Sequence, residues 1–182
     1  YLSIKSNILD VNSINIINEY IFENLSYYNK IYSDIYCQLF IKLIKLDNCF
    51  ENILINHSNK FINLYKYIKF TNTTNYDEIC EVNKNNDKLK CLCDFIVNCF
   101  KKNVIKFDII YESIDNLYCE LKKKIELENN KYYCEILSDF IFHIISNIHN
   151  YISINKNQNI NNEYKNIYNN CIVISNLKHN TF

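Results

Sequence analysis

The chain contains no glycine, proline, methionine or tryptophan, and no alanine or arginine either. Each absence excludes something. Tight β-hairpin turns lean on glycine at positive φ, so its lack argues against all-β hairpins and barrels. Phosphate-binding loops and nucleophile elbows are also built on glycine, so neither can be assembled here. With the usual breakers missing, asparagine must serve turns, helix caps and the left-handed position after a helix. No apolar run approaches the roughly 18–20 residues that span a bilayer, and no signal-peptide pattern opens the chain. Charge of neither sign dominates. Twenty acidic side chains balance twenty lysines, which does not mark a dedicated nucleic-acid binder.

What is present is isoleucine, asparagine, lysine, tyrosine and phenylalanine in excess. All five have A/T-rich codons, so the bias reads as drift in an A/T-rich genome such as that of a protozoan parasite or a giant virus. The missing methionine reads as a fragment or processed product. The 182 residues suffice for one domain, 1–182, with a sizeable core. Helix propensity is nominally poor, because asparagine, isoleucine and tyrosine stand where alanine, leucine and glutamate would favour helix. Hydrophobic periodicity must therefore carry the secondary-structure reading.

That periodicity is helical. Short Ile4–Ile8 spacing marks residues 1–9. Residues 13–28 carry a stripe of Ile14, Ile17, Ile21 and Leu25, and residues 31–46 one of Ile35, Leu39, Leu43 and Leu46. Residues 49–70 carry Phe50, Ile53, Leu54, Phe61, Leu64, Tyr65 and Ile68. Asn12–Ser13 and Asp47 are N-cap signals. Residues 71–86 are polar and read as a loop. Helices resume at 87–102, 106–122 and 131–149, and 161–177 form a last pair or a single helix. Eight to ten helices arriving in pairs predict an all-α fold, an α-solenoid of about five antiparallel hairpins, and exceed a four-helix bundle.

Catalytic chemistry is not indicated. His57, His143, His149 and His179 are far apart, and His143 and His149 fall on different faces of a helix. Nine cysteines include C-x-C at Cys91 and Cys93 but no C-x-x-C and no zinc-type quartet. Buried, reduced thiols of a cytoplasmic protein are the reading. No metal site and no cofactor are expected. Acidic residues interleaved with lysines read as solvated helix faces. The lysines Lys101, Lys102 and Lys106, and Lys122, Lys123 and Lys124, are the places where phosphate contact could occur. In "FENILINHSNKFI" (50–62), His57 lies on or beside an apolar stripe, where a satisfied core-edge histidine outweighs a ligand.

Five strings, in order and with near-gapless internal spacing, carry a resemblance: "IFE" (21–23), "YSDIYCQLF" (32–40), "FENILINHSNKF" (50–61), "KLKCLCDFIVNCFKKNVIKFDIIYESI" (88–114) and "YCEILSDFIFHI" (133–144). Together they resemble the middle domain of eukaryotic translation initiation factor 4G, a HEAT-type solenoid. The likeness spans about 13–148, with a weaker tail to 177. Glycine positions of that family are Cys91–Leu92, Val97 and Ile141 here, and its arginines are lysine or histidine, so close helix packing must adjust and bidentate salt links are lost.

The resemblance implies a scaffold, not an enzyme. It would bind and activate a DEAD-box RNA helicase of the initiation factor 4A type, holding both helicase lobes, and would contact mRNA. A cap-binding protein would be engaged through regions outside this chain, and no membrane is implied. Implied helicase contacts are Asp10, Asn12 and Glu19 at one end, Asn176 and Lys178 at the other, and Asn56 and Lys60 from the motif. Implied RNA contacts are Lys101, Lys102, Lys122, Lys123 and Lys124. Relatives acting in nonsense-mediated decay, splicing or nuclear cap binding share the fold, and a generic helical adaptor remains the alternative of another class.

Overall fold

The computed structural model describes residues 10–20, 30–125, 130–154 and 158–181, with the side chains of 30, 158–161 and 174–181 outside the description. Seven α-helices form among the described residues: α1 (Val11–Asn18), α2 (Ser33–Leu46), α3 (Cys49–Ile62), α4 (Tyr76–Lys101), α5 (Phe107–Ile125), α6 (Lys131–Ile154) and α7 (Gln158–Thr181). Short 3-10 turns at Lys30–Tyr32 and Leu64–Lys66 precede α2 and follow α3. No strand occurs among them. The expected short helix at 1–9 lies outside the described residues, as do Ile21 and Leu25.

The helices alternate between two layers. In the even layer α2 packs on α4 and α4 on α6. In the odd layer α1 packs on α3, α3 on α5 and α5 on α7. Contacts of α2 with α3, α3 with α4, and α5 with α6 join the layers. This is an all-α stack of the α-solenoid type, in which each element touches only its neighbours. Among the described residues there are seven helices against the eight to ten expected, and the 161–177 region falls in the single helix α7.

The core runs along the seam. Phe40 of α2 meets Phe50 of α3 and Phe95 of α4 edge-on, at centroid distances of 6.0 and 5.9 Å. Such T-shaped pairs contribute about 0.5–1.5 kcal/mol beyond burial. The central helix α4 is buried on all sides over Leu92, Cys93, Asp94, Phe95, Ile96 and Val97, as expected where a helix has neighbours all round. On α3 the buried row is Phe50, Leu54, Ser58 and Phe61.

The sequence reading of α2 chose the wrong side. Of the four stripe residues, Ile35, Leu39 and Leu46 face solvent and only Leu43 packs against the core, whose side is carried by Ser33, Cys37 and Phe40. Small Ser33 and Cys37 let α4 approach: Asn98 Nδ2 donates to Ser33 Oγ at 3.0 Å, and the Cys37 and Cys99 sulfurs are 3.5 Å apart. Two apolar faces on one helix are indistinguishable by period alone.

The loop expected at 71–86 is also shorter. Helix α4 begins at Tyr76, because Asn75 caps it by accepting from the Asp77 N–H at 3.0 Å, with Asp77 and Glu78 on its first turn. Before it, Thr71 and Thr73 accept from backbone N–H groups two residues on. Asn86, buried on α4, clasps Lys69 from both sides: it accepts from the Lys69 N–H at 3.1 Å and donates to the Lys69 carbonyl at 2.8 Å. The polar run 76–88 is thus the solvent-facing start of a helix. Its asparagines look like loop residues, but two of them, Asn85 and Asn86, anchor the loop from the helix.

Caps elsewhere use the residues that substitute for glycine. Asn103 sits at φ 59, and its N–H bonds the Phe100 carbonyl while Val104 N–H bonds that of Cys99. This is the left-handed C-cap pattern normally filled by glycine. Asp10 caps α1, two residues before the Asn12–Ser13 signal, with Ser13 as its donor. Asp47, expected as an N-cap, is the C-cap of α2; it accepts from Cys49 N–H at 2.9 Å from one residue before the N-cap of α3, Asn48. The carbonyls at the end of α3 are taken up by α5: Ser113 Oγ donates to Phe61 O at 2.8 Å and Asn116 Nδ2 to Ile62 O at 3.1 Å.

Candidate functional site

The sequence-derived contacts fall on the odd layer. Asp10, Asn12 and Glu19 are exposed on and beside α1, and Asn56 is exposed on α3, the helix α1 packs against. Lys60, half-buried on α3, has its Nζ 5.4 Å from the centre of the Tyr67 ring. Asn176 and Lys178 lie along α7, and their side chains are outside the described residues. The fold therefore brings five of the seven onto one packed helix pair and sets α7 apart by the width of α5. At 8–10 Å per helix crossing, α3 and α7 stand roughly 20 Å apart.

Some of these side chains have local work. Asp10 accepts from Ser13 N–H at 2.8 Å and Ser13 Oγ at 2.9 Å, and these bonds hold its carboxyl below the usual range. His57 lies between α3 and α1, with Nε2 3.4 Å from Asn18 Oδ1. Burial, aided by Lys60, depresses its pKa to about 4, so it is neutral at physiological pH. The asparagine–histidine–serine trio in α3 divides accordingly: Asn56 faces solvent, His57 joins α1, and Ser58 is buried.

The lysines do not form one patch. Lys101 and Lys102 end α4, whereas Lys122, Lys123 and Lys124 occupy the last turn of α5. Helix α5 starts beside the α4 end and runs 19 residues, which puts its far end about 27 Å away. Several of these charges are also engaged. Lys102 pairs with Asp34 at 3.1 Å. Lys123 and Lys124 lie 4.0 and 3.6 Å from Glu120, and Lys124 sits over the Tyr133 ring.

The remaining histidines bridge helices. His143 Nε2 is 2.8 Å from Asp94 Oδ1, and His149 Nδ1 is 2.7 Å from the Tyr164 hydroxyl. No group of three or more metal-ligating side chains occurs among the described residues. Of the nine cysteines, Cys37, Cys93 and Cys99 are buried, whereas Cys49, Cys80 and Cys119 are exposed, so the buried-thiol reading holds for part of the set. Burial drives the Cys93 thiol well above its usual pKa, which leaves it inert.

One concave feature escaped the sequence reading. Between α6 and α7, over α5, lies an apolar cavity of about 400 Å³ lined by Tyr118, Leu121, Ile141, Phe142, Ile145 and Tyr168 among others. Ile141, at a glycine position of the resembled family, is on its wall. Phe142 is exposed at its rim, and the His149–Tyr164 bond lies where the groove continues. The lining could take apolar side chains or a small apolar molecule. The available signal was Phe142 itself, an aromatic off the buried stripe of α6.

No protein-family model, no curated protein and no solved structure matches the chain. No helix among the described residues is long and apolar enough to cross a membrane.

Proposed function

We propose that this chain is a non-enzymatic helical scaffold of translation initiation that binds and activates a DEAD-box RNA helicase of the initiation factor 4A type in the cytoplasm. One observation carries the reading. The four resembling strings within the described residues fall in order on α2, α3, α4 with the start of α5, and α6, and many of their apolar positions, such as Phe40, Phe50, Leu54, Phe95, Ile96 and Phe100, are core residues. These inward positions support the reading, although Tyr32, Leu39 and Ile55 of the same strings are exposed.

The mechanism is population shift. A rigid odd layer offering contacts at α1–α3 and again at α7 would hold two helicase lobes in one relative arrangement. Stabilising that arrangement by about 1.4 kcal/mol over the alternatives changes its population ratio tenfold. Contact with mRNA is a secondary element. Lysine groups about 27 Å apart, partly paired with acids, support separate phosphate contacts more than a continuous track.

The test is a pull-down with initiation factor 4A and an ATPase assay of the helicase with and without this chain. Binding with a raised ATPase rate is expected, weakened by Asn56→Ala combined with Lys60→Ala. Absence of both binding and rate change sinks the reading. Binding instead to a helicase of the decay or splicing machinery reassigns the chain to a related scaffold.

A further inference from the structure

Three ties join the start of α2 to the end of α4. Asn98 Nδ2 donates to Ser33 Oγ at 3.0 Å, Lys102 Nζ pairs with Asp34 Oδ1 at 3.1 Å, and the Cys37 and Cys99 sulfurs stand 3.5 Å apart. Both thiols are buried. A disulfide needs a separation of about 2.05 Å, so bond formation takes a further approach of about 1.5 Å. The Ser33–Asn98 and Asp34–Lys102 ties already hold the two helices against each other at this point. The two sulfurs are not equivalent. Cys37 lies in the second turn of α2. Its hydrogen bond with Cys99 holds its thiol below the usual pKa, and the Lys102 charge adds to this. The same contact, with burial, pushes the Cys99 thiol up. The pair therefore divides into a sulfur suited to attack and one suited to resolve. Cys93, buried on the same helix as Cys99, has its thiol driven up by burial.

We infer that Cys37 and Cys99 are a redox pair that hydrogen peroxide closes into a disulfide, stapling α2 to α4. The Cys37 thiolate attacks one peroxide oxygen. The O–O bond breaks, hydroxide leaves and takes up the proton lost from Cys37, and Cys37 becomes a sulfenic acid. The Cys99 sulfur then attacks the Cys37 sulfur. The S–O bond breaks, and the departing hydroxide carries off the Cys99 proton as a second water. Two thiols and one peroxide thus give one disulfide and two waters: the sulfurs are oxidised and the peroxide oxygens reduced. With both sulfurs buried the oxidant must be small. Peroxide meets that condition, whereas a peptide disulfide would have to part α2 from α4. A dithiol reverses the bond by exchange, leaving both thiols and its own cyclic disulfide. The bond joins residues 62 apart in sequence, so it restricts the unfolded chain and stabilises the fold. It lies in the even layer and stands apart from the helicase reading, which uses the odd layer.

Peptide mapping of the whole chain tests it. The reduced protein is treated with hydrogen peroxide until exposed Cys49 is oxidised, unfolded in iodoacetamide, and cut after lysine without reduction. Peptide 31–42, whose one cysteine is Cys37, is expected joined to peptide 91–101, two hydrogens lighter than the pair, with fragmentation placing the bond at Cys99. Dithiothreitol should part them. Peroxide should also raise the thermal midpoint by about 5 °C or more, and Cys37→Ser should abolish that rise. The mapping is done on the natural chain, so it decides even where the serine variant folds poorly. Recovery of both Cys37 and Cys99 alkylated, of Cys37 as sulfinic acid, or of Cys37 bonded to another cysteine would each overturn the inference. A bridge that leaves the midpoint unchanged would overturn the staple.

Discussion

His143 on α6 and Asp94 on α4 tie the even layer together, with Nε2 of the imidazole 2.8 Å from carboxylate Oδ1. Asn147, one turn further along α6, donates to the same oxygen at 2.6 Å. An ionised carboxylate only accepts, so Nε2 carries the proton. One turn earlier on both helices, Lys90 pairs with Asp139. The two pairs repeat at a spacing of four and set the register of α4 on α6. Asp94 is buried, and its Oδ2 has no hydrogen-bond partner among the described residues. Removing a donor therefore leaves a desolvated carboxylate. His143→Ala should cost about 3 kcal/mol, and His143→Gln, which keeps an N–H donor, about 1 kcal/mol. Urea denaturation midpoints check this. Equal losses for the two variants would mean that the bond contributes nothing beyond packing.

Asn86 makes a different prediction, local to the loop. Its side-chain amide stands in for a strand neighbour to Lys69, and Asn85 adds a bond to the Tyr67 carbonyl at 3.2 Å. Asn86→Ala should destabilise by about 1–3 kcal/mol, because the loop backbone then loses two partners. Amide exchange should quicken at Lys69. Asn86→Asp should fall between, since it keeps the acceptor and loses the donor. Unchanged exchange at Lys69 in the alanine variant would contradict the role.

The helical period of α3, α5 and α6 was legible because each has one apolar side, and the core rows Phe50–Leu54–Phe61 and Ile110–Ile114–Leu117–Leu121 follow from spacing alone. Helix α2 was misread for a physical reason: Ile35 and Leu39 outrank Ser33 and Cys37 in hydrophobicity, yet close approach to α4 needs the small residues. The start of α4 was hidden because asparagine is at once a loop former and, at Asn75 and Asn86, the group that builds the loop–helix junction. The groove between α6 and α7 depends on how far two helices stand apart, which no one-dimensional pattern encodes. Asn56 and Lys60 were placed by motif, and their sharing a packed pair with α1 required the fold.

The left-handed residue after α4 offers a stabilising change. Asn103 holds φ 59 in a chain that has no glycine. Glycine adopts that region without a Cβ clash, so Asn103→Gly should raise stability by a few tenths to about 1 kcal/mol. Asn103→Val should lower it by about 1–2 kcal/mol, since a β-branched residue is strained there. Thermal midpoints in opposite directions are the expected result. Both variants falling together would mean that the Asn103 side chain, not its backbone, holds the turn.

His57 governs a pH window. Its pKa falls from the usual 6.5 to about 4, because burial between α3 and α1 disfavours the cation and Lys60 adds repulsion. Between these values the unfolded chain binds a proton that the folded chain does not, so acid favours unfolding. The contribution is whole above pH 6.5, declines as pH falls, and is lost by about pH 4. Its upper size is about 3 kcal/mol. The lowered carboxyls of Asp10 and Asp34 act below their ordinary 3.8 and so leave this window to His57. Denaturation midpoints measured from pH 7 to 4 should show the decline in the wild type and a flatter profile in His57→Leu. A decline of equal slope in that variant would assign the acid sensitivity to another group. If the slope flattens while the α1 amides also lose exchange protection, the neutral ring is what seats α1 on α3, where Asn56 and Lys60 lie.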